Sequence, residues 1–255
     1  MATRIFLHLA YKGTAYHGWQ SQADPALPTV QSTLEDCLRK MLGYPVHLHG
    51  CGRTDAGVHA RSYYAHFDQR APLDYDPVFR LNRMLPEDIA VYEWLPVAPK
   101  ANAQLDATRR TYEYRIDLVK NPFRARLSGR YDDRPLDIDA MRETVLRYAA
   151  ATDFRAFCKS PEQYPHTRCR IDRCTLEEVE TGKALLFTIT ADRFLQSMVR
   201  LLVARLVDVG MGKLSLGEIE AALSEGTPLS RKRAAYAEGL YLVDVGYDFI
   251  QPNPA

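Results

Sequence analysis

Apolar positions along this chain switch repeatedly between strand-like and helix-like spacing. Ile5, Leu7 and Leu9 alternate with Phe6, His8 and Ala10, the pattern of a strand. After the loop Lys12-Gly13-Thr14-Ala15-Tyr16-His17-Gly18-Trp19-Gln20, Val30, Leu34, Leu38, Met41 and Leu42 recur at helical spacing. Pro28-Thr29 opens that helix and Gly43 closes it. Val46 and Leu48 predict a second strand, residues 62–67 a third and residues 89–94 a fourth. A short helix runs from Asp76-Pro77 through Leu85. Residues 95–106 carry Pro96, Pro99 and little periodicity, so the join between two halves, 1–106 and 107–255, falls there.

The second half begins with residues 110–118, which alternate as a strand with Tyr112, Tyr114 and Ile116 on one face. Residues 119–136 look irregular, and Asp137 caps a helix marked by Ile138, Met141, Val145, Leu146 and Ala149. Residues 169–180 and 184–191 form a hairpin across Thr181-Gly182-Lys183. Residues 194–209 are apolar nearly all round and predict a buried helix. Ser215-Leu216-Gly217-Glu218 is a capping box that starts another helix, and residues 240–247 give the last strand. The order β-α-β-β-α-β, then β-α-β-β-α-α-β, favours an α+β fold with helices packed on one face of antiparallel sheet. Two such halves suggest a duplicated fold, although no sequence repeat accompanies it.

The segment least explained by packing is Gly52-Arg53-Thr54-Asp55-Ala56-Gly57-Val58-His59-Ala60, which places one carboxylate in a loop between glycines and between two strand-like runs. A buried strand would not tolerate it. Glycine lets the backbone take positive φ or approach a ligand closely. Two readings stay open: a turn in which Asp55 caps its own backbone, and a site in which rigid strands present Asp55 for chemistry.

Composition narrows the class. The chain has 255 residues, 46% apolar and 25% charged, as an ordinary globular protein does. No apolar run approaches the roughly 20 residues that span a bilayer. The opening residues lead straight into a strand pattern without the apolar stretch of a secretory leader, an expectation of cytoplasmic location. The five cysteines, Cys37, Cys51, Cys158, Cys169 and Cys174, are odd in number and form no C-x-x-C, which favours reduced thiols. Net charge is only +1, yet 25 of the 33 basic residues are Arg, whose planar fork suits phosphate. Local clusters are Arg109-Arg110, Arg124/Arg126/Arg130, Arg168/Arg170/Arg173, Arg200/Arg205 and Arg231-Lys232-Arg233. Tyr112, Tyr114, Phe123, Tyr131, Tyr164 and Tyr236 lie near them, an interleaving that suits RNA and equally a solvated face with scattered ion pairs.

Single residues then stand out. Asp55 is the best candidate for nucleophile or general base. Tyr112 could stack on a base, whereas Tyr114 reads as a core aromatic of the sheet. Arg200 sits in the most apolar stretch of the chain, where an arginine is costly without an anionic partner unless it snorkels to the surface. His47, His49 and Cys51 are too few for a metal site and read as packing. The glycines from Gly13 to Gly18 match neither a phosphate loop nor a dinucleotide fingerprint, so no nucleotide cofactor is expected.

Taken in order, these segments resemble the tRNA pseudouridine synthase A family. Tyr11 through Gln20 resembles its opening loop, Thr29-Val30-Gln31 with Leu34-Glu35 its first helix, and Gly52 through Ala60 its central motif. Leu81-Asn82 with Leu85-Pro86, then Tyr112-Glu113-Tyr114, Phe194-Leu195 with Met198-Val199-Arg200, and Gly239-Leu240-Tyr241-Leu242 complete the series. The resemblance implies the pseudouridine synthase fold: two ferredoxin-like or RRM-like halves, mainly antiparallel, joined into one extended sheet. It implies isomerisation of uridine to pseudouridine at positions 38 to 40 of the tRNA anticodon stem-loop, with no cofactor, no metal and a homodimer. By the same resemblance Asp55 is the catalytic aspartate, Tyr112 stacks on the target base, Arg200 pairs with the aspartate, Leu240 walls the pocket and Arg53 helps to displace the flipped nucleotide. The chain departs from the family at residues 101–106, which lack its usual His and Arg, and at Tyr236, where the family typically has proline. Two other classes fit less well: a non-catalytic RNA-binding protein, disfavoured by the intact Asp55, Tyr112 and Arg200 set, and a hydrolase with an Asp nucleophile, disfavoured by the lack of clustered acidic metal ligands near Asp55.

Overall fold

The computed structural model describes residues 2–24, 26–229 and 233–250. In chain order the elements are β1 (Thr3–Tyr11), α1 (Val30–Leu42), β2 (His49–Gly50), β3 (His59–Gln69), α2 (Pro77–Asn82), β4 (Ile89–Pro96) and β5 (Arg109–Asp117). They continue with β6 (Gly129–Arg130), α3 (Ile138–Ala150), β7 (Ile171–Glu180), β8 (Ala184–Ala191), α4 (Met198–Gly210), α5 (Leu216–Ser224) and β9 (Leu240–Gly246). The fold is mixed α+β, as the sequence pattern predicts. The chain divides into two compact units, residues 1–108 with 241–255, and residues 109–240.

In the first unit β1 lies antiparallel between β3 and β4, and β3 pairs in parallel with β9 through His59 opposite Tyr241 and Ala60 opposite Leu242. The alternation that predicts β1 has a structural basis: Leu7 and Leu9 are fully buried on one face and Phe6 on the other. α1 begins as predicted. Thr29 accepts the Ser32 N–H in a capping box and Gly43 ends the helix at φ +78°. The Val46/Leu48 strand does not form, and only His49–Gly50 pairs with β3. Side chains of α1 take the ladder's place. Leu48 donates its N–H to Glu35 Oε1 at 2.8 Å and accepts from Gln31 Nε2 at 3.1 Å. Buried backbone groups need partners, and helix side chains supply them here as well as a neighbouring strand would. The short helix predicted through Leu85 ends at Asn82, and a turn from Leu81 to Leu85 follows it.

In the second unit β8 lies antiparallel between β5 and β7, and β6 adds a two-residue parallel pairing to β5. α3 packs against β7, α4 and α5. Residues 119–136, predicted irregular, contain one 3₁₀ turn at Pro122–Arg124 besides β6. The helix predicted over 194–209 starts four residues late, at Met198, because Ser197 takes a left-handed φ of +60° that breaks helical geometry. α5 begins at the predicted capping box, with reciprocal Ser215 and Glu218 bonds. Among the described residues no helix is long and apolar enough to cross a membrane.

Candidate active site

The Asp55 loop is built by its own unit. Ahead of it, the Tyr63 hydroxyl donates to the Gly52 carbonyl at 2.5 Å. Thr54 turns inward, its hydroxyl 2.8 Å from that of Tyr11 and its carbonyl accepting from Trp19 N–H at 3.1 Å. The Asp55 carbonyl accepts from Val58 N–H at 3.1 Å, closing a turn whose third residue, Gly57, takes φ +81°. Gly57 in turn donates to the Tyr16 carbonyl at 3.3 Å. The backbone is therefore fixed at successive points while the side chains of Arg53 and Asp55 stay exposed. A turn closed through the Asp55 backbone and an exposed Asp55 carboxylate coexist in this loop.

Residues outside the motif make this possible. A Cβ on Gly13 would strike the Val58 carbonyl oxygen, and one on Gly18 would lie 2.5 Å from the Thr54 carbonyl oxygen. Gly18 also takes φ +91°. The opening loop packs its backbone directly on the Asp55 loop, an approach only glycine allows. Gly13 N–H then donates to His59 Nδ1 at 3.0 Å, which places the proton of the neutral ring on Nε2. His59 is 1% exposed and stacks on Tyr241 at 4.6 Å, and Arg61 lays its guanidinium over the Tyr241 ring at 5.0 Å. The sequence reading assigned no role to His59 or Gly13; the glycines of the opening loop were the available signal.

The second unit carries the remaining sequence-predicted residues. Tyr112 is half-buried on β5, opposite Ile189, with its ring edge-on to Phe194 at 5.1 Å and 90°. Tyr114 is fully buried and donates to the Tyr236 carbonyl at 2.9 Å, and burial pushes its phenol well above the usual range. The predicted split between the two tyrosines therefore holds in their exposure. Arg200 occupies the first turn of α4, not its middle. Its Nε donates to the Ala235 carbonyl at 2.9 Å, and its own carbonyl accepts from Ala235 N–H at 3.0 Å. The deeply buried arginine of α4 is Arg205, 2% exposed, paired with fully buried Asp208 at 2.8 Å and donating to the Arg233 carbonyl at 3.0 Å. Leu240 is buried at the start of β9. Within this unit Phe194 links the neighbourhood of Tyr112 to the segment that leads into α4, a connection the sequence reading missed.

Several clusters resolve into ordinary ion pairs. Arg124 meets Glu180 at 2.5 Å and Asp117 at 3.3 Å, and Arg130 meets Asp132 at 3.1 Å. Arg124, Arg130, Asp117 and Asp132, with Asp133 and Glu238, line a cavity of about 370 Å³ that Lys120 and Arg126 also line, so cations and acids balance locally. Arg170 pairs with Asp172 and Arg173 with Glu177 on the surface. Of Arg231-Lys232-Arg233, the first two lie outside the described residues, and Arg233 reaches Asp208 at 3.6 Å. His47 pairs with Glu35 at 3.1 Å, His49 stacks on His66 at 4.9 Å, and Cys51 is 1% exposed, which fits packing. Among the described residues no group of three or more His, Cys, Asp or Glu side chains is placed to hold a metal ion. Residues 101–106, a departure from the family pattern, form a turn in which Asn102 Oδ1 accepts from Gln104 and Leu105. The Ala103 N–H donates to His66 Nδ1 at 3.1 Å.

Comparison with known proteins agrees with this architecture. The family described as tRNA pseudouridine synthase matches residues 147–248. A protein named tRNA pseudouridine synthase A from Bacteroides fragilis is 41% identical over 250 residues, covering 96% of each chain. One of the same name from Parabacteroides distasonis is 39% identical over 250 residues, again covering 96% of each. A third, from Chlorobaculum tepidum, is 36% identical over 247 residues, covering 95% of this chain and 97% of that one. Identity at this level along nearly the whole length shows that the chain belongs to the tRNA pseudouridine synthase A family of isomerases.

Proposed function

We propose that this protein isomerises uridine to pseudouridine in tRNA, at positions 38 to 40 of the anticodon stem-loop, with Asp55 acting at the ribose. The observation that carries this reading is an exposed carboxylate on a loop whose backbone is fixed by the neighbouring loop through Trp19, Tyr16 and Gly13. Preorganisation of that kind positions a reacting group without an ordering cost at the moment of reaction.

The chemistry asks for such a group. The glycosidic bond of uridine joins N1 to C1′, and the product joins C5 to C1′. Asp55 attacks C1′ or takes the C2′ proton, and either route frees uracil long enough to turn. Tyr112 and Leu240 hold the base between them, Arg200 keeps Asp55 ionised, and Arg53 helps displace the flipped nucleotide. Extruding a stem nucleotide costs a few kcal/mol, which phosphate contacts offset. No cofactor or metal takes part.

In this reading residues 1–106 and 107–255 are two ferredoxin-like or RRM-like halves that together form the extended pseudouridine synthase sheet. The β-α-β-β-α-β order of the first, with β1 between β3 and β4, supports that description. The protein is expected to work in the cytoplasm as a homodimer.

Tritium release from tRNA labelled at uridine C5 tests the proposal. The unaltered protein should release tritium, and Asp55→Ala should fall by about 10³-fold or more. No release by the unaltered protein would end the synthase reading, and release by the variant at the full rate would remove Asp55 from the reaction.

A further inference from the structure

Between β8 and α4, Phe194-Leu195-Gln196-Ser197 forms a sharp elbow held by a distant loop of the same unit. Ser197 sits at φ +60°, ψ 8°, a conformation that a residue with a Cβ adopts only where its surroundings over-determine it. Those surroundings are specific. Leu195 is 4% exposed, and its carbonyl accepts from Met198 N–H at 3.1 Å. Both backbone polar groups of Gln196 are taken by the loop. Its N–H donates to the Tyr164 hydroxyl at 3.0 Å, and its carbonyl accepts from Lys159 N–H at 3.2 Å. Arg193, just ahead of the elbow, lays its guanidinium over the Tyr164 ring at 5.5 Å. The loop is itself braced. Tyr164 N–H donates to the Pro161 carbonyl at 3.3 Å, and Asp153 Oδ1 accepts from Arg155 N–H at 3.0 Å and the Thr167 hydroxyl at 2.6 Å.

The elbow sits between two residues of the proposed site. Its first residue, Phe194, meets the Tyr112 ring edge-on at 5.1 Å, and Arg200 lies three residues beyond its last. An edge-to-face pair depends on ring orientation, so a shift of the elbow reorients Tyr112. We propose that Tyr164, with Arg193 stacked on it, is a positioning residue. It fixes the elbow, and through the elbow it sets the Phe194–Tyr112 ring pair and the start of α4 that carries Arg200. The proposal rests on the reading of Tyr112 and Arg200 as site residues. Tyrosine suits this role because one side chain offers an acceptor to Gln196 and a face to Arg193. Phenylalanine would keep only the face and leucine neither.

The experiment compares Tyr164→Phe and Tyr164→Leu in the full chain with the unaltered protein, by melting temperature, tritium-release kcat and KM, and fluorine NMR with 3-fluorotyrosine. Loss of one line in Tyr112→Phe assigns the Tyr112 resonance. In Tyr164→Phe the Tyr112 line should move and kcat fall about 3- to 10-fold, the size of one hydrogen bond, with KM for tRNA within about twofold. Tyr164→Leu should lose more. A Tyr112 line that stays put in both variants overturns the proposal, whether kcat is unchanged, stability alone drops or KM alone rises through direct RNA contact. If the line moves but the unaltered protein releases no tritium, the coupling stands and the functional reading fails.

Discussion

His59 and His66 in the first unit each accept a backbone N–H through Nδ1, from Gly13 at 3.0 Å and from Ala103 at 3.1 Å. The second unit instead buries full charges, Arg205 against Asp208 at 2.8 Å inside α4. Both devices satisfy polar groups away from water, and they respond differently to change. A neutral imidazole needs no counter-charge, so it can brace a loop wherever a lone pair is wanted, but acid removes that lone pair. In a buried ion pair, loss of either partner leaves the other charge stranded. The first unit braces the Asp55 loop through close backbone contact and one histidine acceptor, His59. The second braces its elbow through side chains, Tyr164 and Arg193, above a charged helix interior.

The largest effect that would sharpen this contrast comes from Asp208→Ala, expected to cost about 3–5 kcal/mol by stranding Arg205, read as a shift in urea midpoint. Arg205→Met with Asp208→Leu should recover most of that loss. A double variant as unstable as the single one would show that the pair is not what α4 depends on. In the first unit Gly13→Ala forces a Cβ onto the Val58 carbonyl and should cost about 2–3 kcal/mol. It should also lower tritium release, because the Asp55 loop must shift to accommodate the methyl. Full activity and stability in that variant would break the idea of a backbone clamp.

Burial lowers His66 from 6.5 to about 4, with further lowering from Arg4 and His49 that Asp68 and Asp106 partly oppose. Because the folded value lies below the unfolded one, the stabilisation is complete above pH 6.5 and is lost as pH falls toward 4. The loss should reach about 3 kcal/mol and be read as a falling urea midpoint between those pH values. His66→Asn, which can still accept from Ala103 through its carbonyl oxygen, should flatten that dependence. An unchanged slope would place the titration elsewhere.

Most elements were legible in the pattern because their causes are local. Alternation at Leu7 and Leu9, the Thr29 and Ser215 caps and the Gly43 stop each act within a few residues. The errors fall where a distant group decides. The Val46/Leu48 strand gave way because Gln31 and Glu35 took the Leu48 backbone. The buried helix started late because Ser197, held in an elbow by Tyr164 and Lys159, cannot be helical. Arg200 drew notice as a cation in an apolar run, yet the deeply buried cation is Arg205. The Asp three residues beyond it, one helical turn away, was the sequence signal for that pair.

For this protein the sequence alone determined the α+β order, the family resemblance and Asp55 as the residue to watch. Those follow from periodicity, capping chemistry and an ordered set of motifs, all properties of residues near one another in the chain. Tertiary structure alone decided that Gly13, Gly18 and His59 clamp the Asp55 loop and that Phe194 meets Tyr112. The first depends on backbone atoms that approach within about 3 Å and the second on ring packing, both set between segments far apart in the chain.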